Sequence, residues 1–591
     1  MFGWSGRVAD VSLSDRTALF ATTPFYEDFV GGRGLGVRLF FERATPSIDP
    51  YDPSCPLVFA IGPLVGTPAP TAGRMCAVSK SPLTGTICDG NCGGFIAGKA
   101  KACGIDALCI EGGSDTPCIV VIREDGISFE DATSLWGMDI PSSAEALRAR
   151  YGPAPGILLI GPAGESLVRY ATISTDDLRV FGRGGLGAVM GAKRLKAIVF
   201  QGNRRTEIAD REQLRFVCQQ ARKLLEANPI TSRGLRAFGT PILVNITNTM
   251  GLFPQRNYQA SHTDKADLVS GETINTELFV KRRACLACPI QCDRLTRAGE
   301  GVTRGPEYES VWALGPDCGI YDLPSIALAN KACNDLGLDT ISCGATIACA
   351  MELSEKGLYA ASASFGDAHA LVPLINDIAR RSGAGADLAE GSARLARACG
   401  APDLSMSVKG LELPGYDPRG AQGMGLAYAV SNRGACHLRS YILASEILGI
   451  PKLLDRTLTT EKVSLEVVLE NLNAAVDSIG MCRFTSFALS EEYYSRLLSS
   501  VTGVDYSEEG LLRLGERIWN LERLYNNRAG FTSEDDTLPS RILHEPVPSG
   551  PSAGHVCRLH EMLPDYYRAR GWDEQGRPRQ KKLAEVGLDH V

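Results

Sequence analysis

Three cysteines, Cys285, Cys288 and Cys292, stand in the run ACLACPIQC with C-x2-C-x3-C spacing. One loop with thiolates at that spacing can wrap an iron–sulfur cluster or a zinc ion, and either needs a fourth ligand from elsewhere in the chain. Glu309, in GPEYESVWALG, lies among aromatic and apolar neighbours. Partial burial there would raise its pKa toward proton-transfer work. His437, in NRGACHLRSY, is one of seven histidines and has small neighbours that leave room for a substrate; it is the side chain most readily tuned near neutral pH. Taken alone, each of these two residues also has an ordinary structural use. Gly182 to Gly187 matches G-x-G-x-x-G, but the preceding TDDLRVF is not the apolar strand that a dinucleotide-binding unit requires. Its glycine amides can still cradle phosphate, with Arg179 and Arg183 adding charge.

These residues need elements to hold them. From residue 1 to about 205 the chain runs in short β-like stretches, such as CIVVI (118–122) and GILLI (156–160), between Gly/Pro punctuation. Glycine concentrates in GGRGLG (31–36), GNCGG (90–94) and GRGGLGAVMG (182–191), which suits backbone close to a ligand. After Asp210, an N-cap candidate, Arg211 to Asn228 has helical periodicity, and similar stretches continue to the C-terminus. Asp322 opens a predicted helix through Ala332, and Val463 to Ile479 reads as another. Two echoed hexads, NDLGLD (334–339) and DSIGMC (477–482), each end a predicted helix at a glycine and could face one ligand from two domains. LPGYDPRGAQG (413–423) reads as a break between helical domains.

Length and composition bound the rest. The 591 residues exceed one ordinary core. A hydrophobic fraction of 44% with 22% charged residues is that of a folded globular chain. A formal charge of −7 without a basic block disfavours nucleic acid. The longest apolar stretches are too short and too broken by Gly and Pro to span a membrane. Nineteen scattered cysteines, an odd number, behind an N-terminus without a signal-peptide pattern point to a reducing, cytoplasmic setting.

In order along the chain, AGR (72–74), KSPLTG (80–85), GRGGLGAVMGAKRLKAI (182–198), CLACPIQC, GPEYESVWALG, NDLGLDT, LPGYDPRGAQG, NRGACH and DSIGMC resemble the tungsten-containing aldehyde ferredoxin oxidoreductases, essentially end to end. The resemblance implies an α+β fold: a β-rich cofactor-base domain (1–205), a helical domain with the cysteine loop and first hexad (206–410), and a helical C-terminal domain with the second hexad (411–591). It makes Cys285, Cys288, Cys292 and Cys482 the ligands of one [4Fe–4S] cluster. It implies a tungsten bis-pyranopterin (molybdopterin) cofactor, contacted through Arg74, Asn334, Asp339, Arg439, Asp477 and Met481. Asn91 and the segment Arg179, Val180, Gly182, Arg183 and Gly184 would lie near the phosphates and the Mg2+ that bridges them. The chain departs from the family pattern at Asn334, where that pattern has Asp. It also has LANK (328–331) in place of a Glu-x-x-His that some members use between subunits, so any homodimer is expected to lack that bridging metal.

By the same resemblance, an aldehyde is the expected substrate, Glu309 the group that activates water or removes a proton, and His437 the group that orients or protonates the substrate oxygen. Electrons would leave to ferredoxin or to an iron–sulfur or flavin subunit. The alternatives are the same site run inward, reducing carboxylic acids or aromatic acyl-CoA, and a structural metal-binding protein without pterin.

Overall fold

The computed structural model describes the whole chain, Met1–Val591. Residues up to about 201 build two six-stranded sheets. The first contains β1 (Val8–Ser12), β2 (Thr17–Ala21), β3 (Leu57–Ile61), β4 (Met75–Lys80), β5 (Ile87–Cys92) and β6 (Ala107–Glu111), in the order β2-β1-β6-β3-β4-β5. The second contains β7 (Cys118–Arg123), β8 (Ile127–Asp131), β9 (Gly156–Leu159), β10 (Ile173–Thr175), β11 (Val180–Phe181) and β12 (Leu195–Gln201), in the order β11-β10-β9-β12-β7-β8. Strand alternation distributes their side chains. Leu57, Phe59 and Ile61 of β3 share a core with Val120, Ile122, Leu158 and Ile198 of the second sheet. Val58 and Ala60 turn the other way, onto a core shared with Leu35, Val37 and Leu39 and with Ala474 and Val476 far down the chain.

The remainder is mainly helical, as the sequence leads one to expect, apart from a small sheet of β13 (Phe279–Arg283), β14 (Asp293–Ala298) and β15 (Gly301–Arg304) and a two-stranded pair, β16 (Ser407–Val408) and β17 (Leu411–Glu412). Asp210 caps the helix Arg211–Ala227 and Asp322 caps Leu323–Leu336, each accepting a backbone N–H. The second hexad ends the helix Lys462–Ile479. Gly337 and Gly480 both end their helices at positive φ, 81° and 87°, conformations that strongly favour glycine.

Two regions differ from the sequence reading. GGRGLG packs against protein backbone: it opens the helix Gly32–Arg43, and a Cβ on Gly32 would lie 2.3 Å from the Asp477 carbonyl oxygen. These glycines let two helices meet. The passage 413–423 is buried throughout, with no exposed linker, and apolar residues on both sides of it share one core.

Candidate active site

The two hexads are seated alike, one on each N-terminal sheet. At the first, Thr172 N–H, just before β10, donates to the Gly337 carbonyl (2.9 Å), and the site of a Gly161 Cβ, just beyond β9, is 2.5 Å from the Leu336 oxygen. At the second, Arg74 N–H, just before β4, donates to the Gly480 carbonyl (3.0 Å), and a Gly62 Cβ, just beyond β3, would lie 2.3 Å from the Ile479 oxygen. This repetition sets Asn334 opposite Asp477, Leu338 opposite Met481 and Asp339 opposite Cys482, all on the wall of one cavity of about 360 Å³.

That cavity brings together every residue singled out from sequence except Gly184, whose Cβ position is filled by the Cys88 sulfur at 2.2 Å. Cys285, Cys288, Cys292 and Cys482 line it from two distant parts of the chain. Arg74 Nη2 donates to Cys482 Sγ at 3.2 Å. Thr71 ties the two segments together, its N–H donating to the Ala287 carbonyl (3.0 Å) and its hydroxyl accepting from Cys482 N–H (3.2 Å). Burial, reinforced by neighbouring thiols, pushes Cys288 up to about 11; burial, reinforced by Glu307, pushes Cys292 well above an ordinary thiol. A cation bound there would reverse both shifts by taking the thiolate form.

The lining is rich in cation. Seven arginines face four carboxyl groups, and several polar atoms are buried without partners: Arg179 Nε, Arg304 Nε and Nη1, Arg433 Nε, Arg439 Nε and Asn91 Oδ1. Such orphaned groups, five donors and one acceptor, are costly unless a partner of the opposite kind fills the space. Arg439 reaches Asp89 at 2.6 Å; burial disfavours the Asp89 carboxylate, but Arg439, Arg33 and Arg433 outweigh it and keep it ionised. Arg183 spans three segments, donating to Asp339 (3.3 Å), the Ala435 carbonyl (2.7 Å) and the Glu412 carbonyl (2.6 Å). Asp339 in turn caps the helix Thr340–Glu355. Asn334 donates its amide to Thr303 Oγ1 (3.1 Å) and the Arg304 carbonyl (3.0 Å); an ionised aspartate could not make the second bond and could meet Thr303 only by accepting from its hydroxyl. The departure from the family pattern is thus matched by the neighbouring hairpin.

Glu309 and His437 meet at the cavity wall. Glu309 Oε2 accepts the Gly415 N–H at 2.9 Å, while Oε1 is 3.6 Å from His437 Nδ1, and neither Oε1 nor Nδ1 has a hydrogen-bond partner. Burial drives the Glu309 pKa up to about 8. Burial first, then the surrounding arginines, hold His437 well below 6.5, so its imidazole is neutral at pH 7. Tyr416 stacks on Tyr308 (4.9 Å between centroids) and lies 5.8 Å from His437, with Tyr441 at 6.3 Å. The passage 413–423 therefore also forms part of the site, supplying Gly415 and Tyr416. Sequence reasoning also missed Arg304, Arg433 and Cys436. Cys436 adjoins His437; burial opposes its ionisation, but Arg433, Arg439 and Arg183 bring it down to about 6, with Arg433 Nη2 2.9 Å from the sulfur. The NRGACH run held the signal for the last two; nothing local marked Arg304.

The family profile described as "Aldehyde ferredoxin oxidoreductase, N-terminal domain" matches residues 8–202, and that for its domains 2 and 3 matches 216–588. The tungsten-containing aldehyde ferredoxin oxidoreductase of Pyrococcus furiosus is 44% identical over 603 residues, covering 100% of this chain and 99% of the relative. The protein of the same name from Thermococcus kodakarensis is also 44% identical, with the same coverage of both. Among solved structures, the BamBC active-site complex of benzoyl coenzyme A reductase with 1,5-dienoyl-CoA shares the fold, with a TM-score of 0.87 at 21% identity over 100% of this chain and 98% of that one. The double-sheet base, the paired hexads and the four-cysteine wall thus belong to a chain matched nearly end to end, and this protein is a member of the aldehyde ferredoxin oxidoreductase family.

Proposed function

We propose that this chain oxidises aldehydes to carboxylic acids, taking the oxygen from water and sending two electrons, one at a time, past the cysteine loop to ferredoxin or a ferredoxin-like subunit. The residues present fit the cofactors this requires. The unpartnered guanidinium nitrogens suit phosphate, and the free Asn91 Oδ1 suits a hard cation. Arg179, Val180, Gly182 and Arg183 would border the phosphates and, with Asn91, the Mg2+; Gly184 would support the turn from behind. Asn334, Asp339, Asp477, Arg74, Arg439 and Met481 would hold the pterins, and Cys285, Cys288, Cys292 and Cys482 the [4Fe–4S] cluster. When bound, a tungsten bis-pyranopterin would supply two-electron redox chemistry and a [4Fe–4S] cluster one-electron chemistry.

The chain's own residues do the rest. Glu309, as carboxylate, takes a proton from the attacking water through its free Oε1. His437 is neutral at working pH, so it orients the substrate oxygen through a ring N–H donor and does not deliver a proton as imidazolium. Tyr308, Tyr416 and Tyr441 shield the pair from bulk water, which strengthens those interactions. The observation that carries this reading is the facing of Glu309 and His437 in the cavity shared by both hexads and all four cysteines. An anaerobic assay with aldehydes and benzyl viologen, run in both redox directions, tests it. Aldehyde-dependent dye reduction is expected; activity only with acids or acyl-CoA and reduced dye would overturn it.

A further inference from the structure

The cysteine loop lies in a field of cations that the protein leaves unneutralised. Segments 222–240 and 279–292 carry seven Lys and Arg residues and one acid, Glu226, in a chain of net charge −7. Only Arg283 among the seven has an ion-pair partner, Asp177 at 3.5 Å. Arg222, Lys223, Arg233, Arg236, Lys281 and Arg282 are all exposed. The two segments converge on the loop. Arg236 Nη2 donates to Gln291 Oε1 at 3.4 Å, and Leu225 and Leu235 pack with Ile290 beside Cys288 and Cys292. Arg222 donates at 2.8 Å to the Pro68 carbonyl, in the turn whose Thr71 binds both halves of the cysteine wall. The edge strand β13 continues the same face and exposes Val280. All four cysteines are partly buried, less deeply than Glu309.

Cations held in ion pairs project little field; unpaired ones keep theirs and draw an oppositely charged partner over distances near the Debye length. We propose that this face around Cys285–Cys292 is the docking site of a small, acidic, one-electron iron–sulfur carrier protein. The proposal rests on the reading above that electrons leave by the cysteine loop. Each encounter reduces the carrier by one electron, so two reduced carriers depart per aldehyde oxidised.

The test uses the metal-loaded enzyme with an acidic bacterial-type ferredoxin, and benzyl viologen as the small-molecule acceptor. In Arg236→Glu/Arg282→Glu, kcat/KM for ferredoxin at low salt is expected to fall roughly tenfold or more, with the Gln double variant intermediate, because charge reversal acts mainly on encounter. Benzyl viologen, itself a cation, should react no slower. Wild-type ferredoxin kinetics should weaken with added salt, and carbodiimide should couple Lys281 or Lys223 to a ferredoxin carboxylate in a salt-sensitive way, read by mass spectrometry. Ferredoxin kinetics indifferent to salt and to both substitutions, or cross-links confined to another face, would overturn the proposal. A wild-type enzyme inactive with both acceptors would instead overturn the reading beneath it.

Discussion

Glu309 Oε1 and His437 Nδ1 lie 3.6 Å apart on the cavity wall, each buried and without any hydrogen-bond partner. Two polar atoms left this way are poised for a third party, here substrate or water. Glu309→Gln keeps the shape and can still accept the Gly415 N–H, but it cannot take a proton. The expected result is a fall in kcat of about 10²- to 10⁴-fold with unchanged iron and tungsten content. Turnover near wild type would show that the proton goes elsewhere.

The same carboxyl sets a pH dependence. Burial raises Glu309 to about 8, so at pH 7 it is mostly the acid, and the base form grows as pH rises. Aldehyde oxidation should therefore climb with pH and level off above about 8, measured as kcat/KM in the dye-linked assay. His437, held neutral, should contribute no falling limb between pH 7 and 9. A rate already flat from pH 6 upward would contradict the assignment.

Arg183 is a mechanical joint. Its guanidinium ties Asp339 to the carbonyls of Ala435 and Glu412, joining the N-terminal sheets to both helical regions. Arg183→Met leaves a buried carboxylate and two carbonyls short of donors, a loss of about 3–5 kcal/mol by the usual cost of breaking a buried ion pair. A lowered thermal midpoint and reduced cofactor retention are expected. Arg183→Lys should recover only part of either, since one ammonium cannot reproduce the planar fork.

Asn334→Asp restores the residue type of the family pattern yet should not help. The carboxylate would face the Arg304 carbonyl and lose that bond, while the Thr303 hydroxyl could turn to donate to it. A cost of about 0.5–1.5 kcal/mol is expected for one lost hydrogen bond, since Asn330 still donates to the Arg304 carbonyl, read as a lower thermal midpoint. A stabilised Asp variant would mean that the hairpin rearranges to receive it.

What the sequence disclosed followed how local each signal is. The cysteine loop, Glu309, His437 and the hexads are compact motifs, and the cavity gathers them all. Asp210 and Asp322 announce their helices because capping is decided within four residues. GGRGLG misleads because glycine is a poor helix former, and its place in a helix is explained by close approaches that the run itself does not show, of Asp477 to Gly32, Phe29 to Gly34 and Val78 to Gly36. LPGYDPRGAQG reads as a linker because Pro and Gly mark turns. It is buried because Arg419 pairs with Asp417 (2.6 Å) and donates to the Tyr258 carbonyl (2.7 Å), satisfying the turn internally. Arg304 depends on residues brought together from different segments, which no local pattern shows, whereas the low pKa of Cys436 comes first from Arg433 and Arg439 in its own run.

Cys482 tests whether the two halves of the cysteine wall act together. Cys482→Ser should lose most of the bound iron, whereas Cys399→Ser, likewise partly buried but outside the cavity, should lose none. Equal iron in both variants would remove Cys482 from the ligand set.

The central claim is that the cavity between the hexads holds a tungsten pterin beside a four-cysteine cluster. Anaerobic metal analysis of the purified chain, paired with pterin extraction, tests it most directly. Tungsten with pterin and about four iron per chain is the predicted result, the iron following from one [4Fe–4S] cluster. Zinc on the cysteines, with neither tungsten nor pterin, would contradict it.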